Sequence, residues 1–130
     1  MVPSSVDEAL KLIADDAADL LAVSPVLLGR ASPPNVYGVY MLLVGGQIMY
    51  VGEAKGRKGL RDRLLGKHIS GDDDHAIQRA YKTEFPDRNL RRDHIKKTVF
   101  ARWLPIADPL RVSAAERLLI WLHDPPWNRK

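Results

Sequence analysis

The sequence predicts one domain that mixes helices and strands, of the α/β (α+β) class, and three observations carry that expectation. Residues 37–52, YGVYMLLVGGQIMYVG, form two apolar runs about Gly45-Gly46, the pattern of a β-hairpin. Residues 98–104, TVFARWL, are rich in β-branched and aromatic side chains and read as a third strand. Around these runs, apolar residues recur at helical spacing over 6–22, 58–68, 75–83 and 113–123. At 130 residues the chain suffices for one core and is short for two.

Each element has a local cause. Ser5 and Glu8 form a capping box, and Val6, Leu10, Ile13, Ala17 and Leu20 lie beyond it on one helical face. Pro25 and then Pro33-Pro34 break the chain, so residues 1–35 read as an acidic helix with a proline-rich linker, attached to a domain over 36–130. Leu60, Leu64 and Leu65 give the second helix its buried side. The acidic turn Asp72-Asp73-Asp74 reads as a solvated loop capping the helix at 75–83, because the remaining positions of a calcium loop are missing. Residues 85–96, polar and basic with Pro86, read as an irregular excursion. The last helix ends where Pro125-Pro126 forbid its continuation.

Composition excludes several classes. With 45% hydrophobic and 28% charged residues the chain belongs with folded soluble proteins. It has no cysteine, hence no disulfide framework and no thiolate metal cluster. No helical histidine pair suggests a metal, and His75, His94 and His123 receive no role. Neither a secretory leader nor a membrane-spanning run is present, which predicts a cytoplasmic protein without a membrane partner. Net charge is +4, divided as −3 over residues 1–34 and +7 over 35–130. A basic body points to a polyanion, most simply nucleic acid.

The hairpin carries a further signal: a tyrosine beside valine and glycine on each strand. A two-residue turn would set Tyr40 across from Val51 and send Tyr40 and Tyr50 to opposite faces. An odd-length loop, or an equivalent bulge, sets Tyr40 opposite Tyr50 and both phenols on one face, and this is the expected geometry. On the helix at 58–68, His68 falls on the leucine side, bordered by Arg63 and Lys67.

The ordered set Gly38-Val39-Tyr40, Tyr50-Val51-Gly52, Glu53-Ala54-Lys55, Leu60-Arg61-Asp62-Arg63-Leu64, Glu116 and Asn128 resembles the GIY-YIG nuclease family over residues 36–128. Its opening motif is similar to that of the catalytic domain of bacterial nucleotide excision repair incision nucleases. The resemblance implies a three-stranded antiparallel sheet flanked by helices, here with an extra N-terminal helix, and metal-dependent endonuclease activity on DNA, with RNA left open. It implies that Glu116 binds Mg²⁺ or Mn²⁺ and that Arg63 stabilises charge on the phosphate. Tyr40, with His68 as a candidate helper, would activate water, and Tyr50 and Asn128 would orient neighbouring groups. Two extra residues such as Arg57-Lys58 precede the helix, so Arg61 competes with Arg63 for the catalytic place, and Arg63 is preferred. Lys67 stands where several members carry His or Tyr.

Simpler readings stand beside these. Ser113 and Glu116 also form a capping box, Tyr40 and Tyr50 also read as half-buried strand aromatics, and Trp127 reads as core. Lys55, Arg57, Lys58, Arg61, Lys67, Arg91, Arg92, Lys96 and Lys97 are the candidate nucleic-acid contacts, with a solvated surface as the alternative. A non-catalytic nucleic-acid-binding module, or a nuclease subunit whose N-terminal helix docks on a protein partner, are the competing functions. Repair, restriction and mobile-element roles, and the oligomeric state, stay open.

Overall fold

The computed structural model describes residues 2–69 and 76–129, with backbone alone for 67–69. Helix α1 spans Val6–Ala22, with Ser5 as its N-cap accepting from the Glu8 amide at 3.1 Å. Strand β1, Val26–Leu27, precedes a 3₁₀ turn at Leu28–Arg30. Strands β2, Gly38–Val44, and β3, Gln47–Ala54, form the expected hairpin. Helix α2, Gly59–Arg61, continues as a π-helical segment, Asp62–Ile69. After α3, Ala76–Tyr81, come α4, Arg88–Thr98, and β4, Phe100–Pro105. Helix α5, Pro109–His123, leads to a 3₁₀ turn at Pro126–Asn128.

The sheet has four strands in the order β1-β4-β2-β3, every neighbouring pair antiparallel, where three were expected. The added strand is the two-residue β1, too short to leave a periodic trace in sequence. Strand β2 is buried on both faces. Val39, Met41 and Leu43 pack with Ala17 and Leu20 of α1 and with Val112, Ala115 and Leu119 of α5. Tyr40 and Leu42 pack with Leu60, Leu64, Ile77 and Ile95 on the opposite side. The sheet is therefore sandwiched between two helical layers.

Residues 1–35 contribute α1 and β1 to these layers. Asp16 is held by a two-point contact from Arg111 of α5, at 2.7 and 3.1 Å. The Arg102 guanidinium of β4 donates to the Leu21 carbonyl at 2.6 Å, satisfying the C-terminal end of α1. Among the described residues no helix is long and apolar enough to cross a membrane.

Three expectations are corrected. The stretch at 85–96 is not irregular: Asp87 caps α4, accepting from the amides of Asn89 and Leu90, and Arg91 and Ile95 form its buried side. Helix α5 begins at Pro109 and is capped by Asp108, whose carboxylate accepts from the Leu110 amide at 2.9 Å, so Ser113 lies inside the helix and is not its cap. The helix at 58–68 changes to π winding from Asp62, so a wheel drawn at α spacing gives the wrong angles beyond that residue. The acidic turn at 72–74, with His75, lies outside the described residues.

Candidate active site

The hairpin turn is the two-residue Gly45-Gly46, both at positive φ (57° and 80°), not an odd loop. The odd residue comes from a bulge instead. Leu43 pairs with Ile48 and Leu42 with Tyr50, which leaves Met49 extra. Tyr40 consequently pairs with Gly52, and the tyrosines share a face on a diagonal rather than directly opposite each other. Their ring centroids are 6.2 Å apart and their planes tilted by 42°.

The glycines of the repeated trio make room for this arrangement. A Cβ on Gly52 would collide with the Tyr40 ring and hydroxyl and come within 2.8 Å of the Tyr50 ring. A Cβ on Gly38 would strike the Leu104 carbonyl and reach Leu60 at 2.7 Å. Tyr40 is fully buried and Tyr50 partly so, and the two phenols hydrogen-bond. Burial first, and then the charge of Tyr50, hold the Tyr40 phenol well above its ordinary value, while Arg63 opposes the shift. Burial likewise raises Tyr50, again against Arg63.

Arg63 enters from the π-helical segment, and its Nε donates to the Glu53 carbonyl at 3.3 Å. That bond ties the segment to the end of β3 and sets the guanidinium within electrostatic reach of Tyr40, Tyr50 and Glu116. Glu53, Lys55, Gly56, Gly59, Asp62 and Arg63 line a cleft of about 250 Å³. Arg61 is exposed and lines a different depression with Asn35, Lys58 and Leu65. The side chains of Lys67 and His68 lie outside the described residues.

Glu116 projects from α5 as a partly buried carboxylate with no hydrogen bond or ion pair among the described residues. Burial, and then the neighbouring Glu53 carboxylate, raise it to about 7, although Arg117, Lys55 and Arg63 pull the other way. Glu53 and Ser113 are the residues whose part the sequence reading missed. The Ser113 hydroxyl donates to Glu53 Oε2 at 2.8 Å, and Lys55 Nζ donates to Ser113 Oγ at 2.7 Å while lying 3.2 Å from Glu53 Oε1. One signal was available: Glu53 and Lys55 are two apart where β3 runs out, close enough in sequence for their opposite charges to meet. The donors near Glu116 are hard oxygens, and no group of three or more His, Cys, Asp or Glu that could hold a metal occurs among the described residues. Such a set suits a cation that keeps most of its waters, as Mg²⁺ does.

Asn128 lies against β3, the edge of the sheet. Its Oδ1 accepts from the Val51 amide and its Nδ2 donates to the Val51 carbonyl, both at 2.8 Å. The chain reaches this position through Asp124, whose left-handed backbone (φ 45°) closes α5. Trp127 is partly buried against the core and meets Tyr81 edge-on at 5.6 Å, as expected of a packing residue.

The basic candidates divide. Arg57, Lys58, Lys96 and Lys97 are exposed, with Lys97 paired to Asp93 at 2.9 Å, and Arg92 is partly buried. Arg91 is only 1% exposed, so it belongs to the inner side of α4 and is withdrawn as a surface contact for nucleic acid.

Among solved structures, the chain is similar to the GIY-YIG N-terminal endonuclease domain of UvrC from Thermotoga maritima. A tyrosine-to-phenylalanine mutant of that domain, bound to its catalytic divalent cation, matches with a TM-score of 0.50 and 18% identity, covering 75% of this chain and 87% of the other. The magnesium-bound form matches with a TM-score of 0.49 and 19% identity, over 89% of this chain and 94% of the other. No protein-family model matches the chain, and no curated protein does. The mixed α/β architecture is that of the GIY-YIG nuclease-like fold.

Proposed function

We propose that this chain is a divalent-cation-dependent endonuclease that hydrolyses phosphodiester bonds in DNA. The observation that carries the reading is the convergence of Tyr40, Tyr50, Arg63 and Glu116 beside the cleft at the end of β3. The similar UvrC domain binds a catalytic divalent cation, which supports assigning one to Glu116 here. When bound, such a cation supplies Lewis acidity to the scissile phosphate and charge compensation to the departing 3′ oxygen.

Arg63 pairs with the phosphate. Its Nε is taken by the Glu53 carbonyl, which leaves the two terminal nitrogens for phosphate oxygens. Tyr40 orients the attacking water and, as a phenolate, accepts its proton. In the free protein burial keeps that phenol protonated at neutral pH, so Tyr40 becomes a proton acceptor only after positive charge is added nearby. Tyr50 holds the Tyr40 hydroxyl, and Asn128 fixes the strand that carries Tyr50. His68 remains a candidate helper to Tyr40, while Lys55, Arg57, Lys58, Arg61, Lys67, Arg92, Lys96 and Lys97 supply cationic charge for the DNA backbone.

The test is incubation of the protein with supercoiled plasmid and with single-stranded, duplex and branched DNA, in Mg²⁺, Mn²⁺ or chelator, beside Glu116→Ala. Metal-dependent cutting that the variant lacks is expected. Salt-sensitive DNA binding without cutting in any metal would replace the nuclease reading with that of a binding module.

A further inference from the structure

Glu53 is the meeting point of three elements. Its backbone carbonyl receives Arg63, its Oε2 receives the Ser113 hydroxyl at 2.8 Å, and its Oε1 lies 3.2 Å from Lys55. Lys55 also donates to Ser113 at 2.7 Å, which closes a ring of three side chains beside the cleft. Ser113 and Glu116 are three residues apart in α5 and share a face of the helix. The carboxylate that reaches Ser113 from β3 is therefore brought to the same space as the Glu116 carboxylate. Lys55 is ion-paired to Glu53 and Arg63 is tied to its carbonyl, whereas the Glu116 carboxylate, near enough to feel the charges of Glu53, Lys55, Arg63 and Arg117, has no hydrogen bond or ion pair among the described residues.

We propose that Glu53, oriented by Lys55 and Ser113, is a second anionic group of the divalent-cation site, so that the cation is held between β3 and α5 rather than by Glu116 alone. The inference rests on the reading of Glu116 as the metal anchor. It gives Ser113 and Lys55 distinct parts. Ser113 fixes the direction of the Glu53 carboxylate, and Lys55 neutralises it while the site is empty. Hard oxygen donors from two elements, completed by water and substrate phosphate, suit a small divalent cation. Cation affinity tracks the charge count, so removing Glu53 weakens binding and removing Lys55 strengthens it.

That opposition of signs separates the inference from a structural role, in which breaking either side of the ring would weaken binding. The experiment is titration of the DNA-free protein with Mn²⁺, monitored by the electron paramagnetic resonance of free Mn²⁺, for the wild type, Glu53→Gln, Lys55→Met and Glu116→Ala. Melting temperature in chelator reports the folding of each. Glu53→Gln is expected to raise the dissociation constant roughly 10–100-fold, the usual effect of losing a supporting group at a metal site. Lys55→Met is expected to lower it. Unchanged affinity in Glu53→Gln, or weakened affinity in both variants, overturns the inference while leaving Glu116 as anchor. Wild-type affinity in Glu116→Ala overturns the anchor itself.

Discussion

The Asn128 side chain makes two hydrogen bonds of 2.8 Å to the backbone of Val51, one to its amide and one to its carbonyl. Val51 lies on an edge strand, whose outward backbone groups have no strand to pair with, and Asn128 supplies one donor and one acceptor in place of that strand. The contact immobilises the residue between Tyr50 and Gly52, and so bears on both phenols.

Asn128→Asp is expected to disturb the protein more than Asn128→Ala. Alanine removes two hydrogen bonds worth about 1 kcal/mol each. Aspartate keeps the acceptor for the amide but sets a second oxygen against the Val51 carbonyl, replacing attraction by repulsion. Thermal unfolding should rank the proteins wild type, alanine, aspartate, and turnover should fall in both variants. Equal melting temperatures for all three would show that the edge contact contributes nothing.

Gly52→Ala tests whether the glycine is there for the tyrosine. The added methyl would occupy the space of the Tyr40 ring and hydroxyl, and a buried phenol has nowhere to retreat without unpacking Leu60 and Leu64. The expected outcome is a loss of on the order of 1–3 kcal/mol in stability, the usual cost of overpacking. The double variant Gly52→Ala with Tyr40→Leu should recover stability but not cleavage. A single variant with wild-type stability would sink the packing argument.

The two arginines of the Leu60–Leu64 stretch should separate cleanly. Arg63 lies within electrostatic reach of the phenols and Glu116 and is tied to the Glu53 carbonyl, whereas Arg61 is exposed in a neighbouring depression. Arg63→Ala should lower turnover by on the order of 10²–10³, as removal of a preorganised charge donor does. Arg61→Ala should weaken DNA binding modestly, most visibly at higher salt, with turnover preserved. A larger turnover loss in Arg61→Ala would exchange their roles.

What was legible in the sequence had a local or periodic cause. The hairpin showed through its glycine turn and the N-terminal helix through Ser5 and Glu8, and both stand where they were expected. Helix α4 was hidden because one of its inward positions is Arg91, which a hydrophobic pattern counts as outward. The start of α5 was missed because Ser113 and Glu116 imitate a cap one turn inside the helix that Asp108 caps. The ring of Glu53, Lys55 and Ser113 joins residues 58 and 60 apart in sequence, and only the packing of α5 on β3 brings them together. The bulge at Met49 shows the limit most plainly. The demand that both tyrosines share a face was legible, with an odd loop or a bulge as its means, but neither the choice of the bulge nor the diagonal pairing it imposes was.

Glu116 should leave a signature in the pH dependence of stability, readable without any substrate. Its carboxyl is raised from 4.5 in an unstructured chain to about 7 in the folded protein, by burial first and then by Glu53. Between those values the folded state holds a proton that the unfolded state has released, so this group makes stability fall as pH rises. Its contribution is fully present below 4.5 and is lost as pH passes about 7. Other carboxylates can run the opposite way, so the informative quantity is the melting temperature of the wild type minus that of Glu116→Gln, in chelator. That difference should decline from pH 5 to pH 8, pH values on either side of about 7. Adding Mg²⁺ at pH 8, above the folded value of about 7, should raise the wild-type melting temperature and leave Glu116→Gln unmoved, because a ligand that binds only the folded state stabilises it. A difference independent of pH would mean that Glu116 titrates as an ordinary surface carboxylate. An equal response of both proteins to Mg²⁺ would place the cation elsewhere.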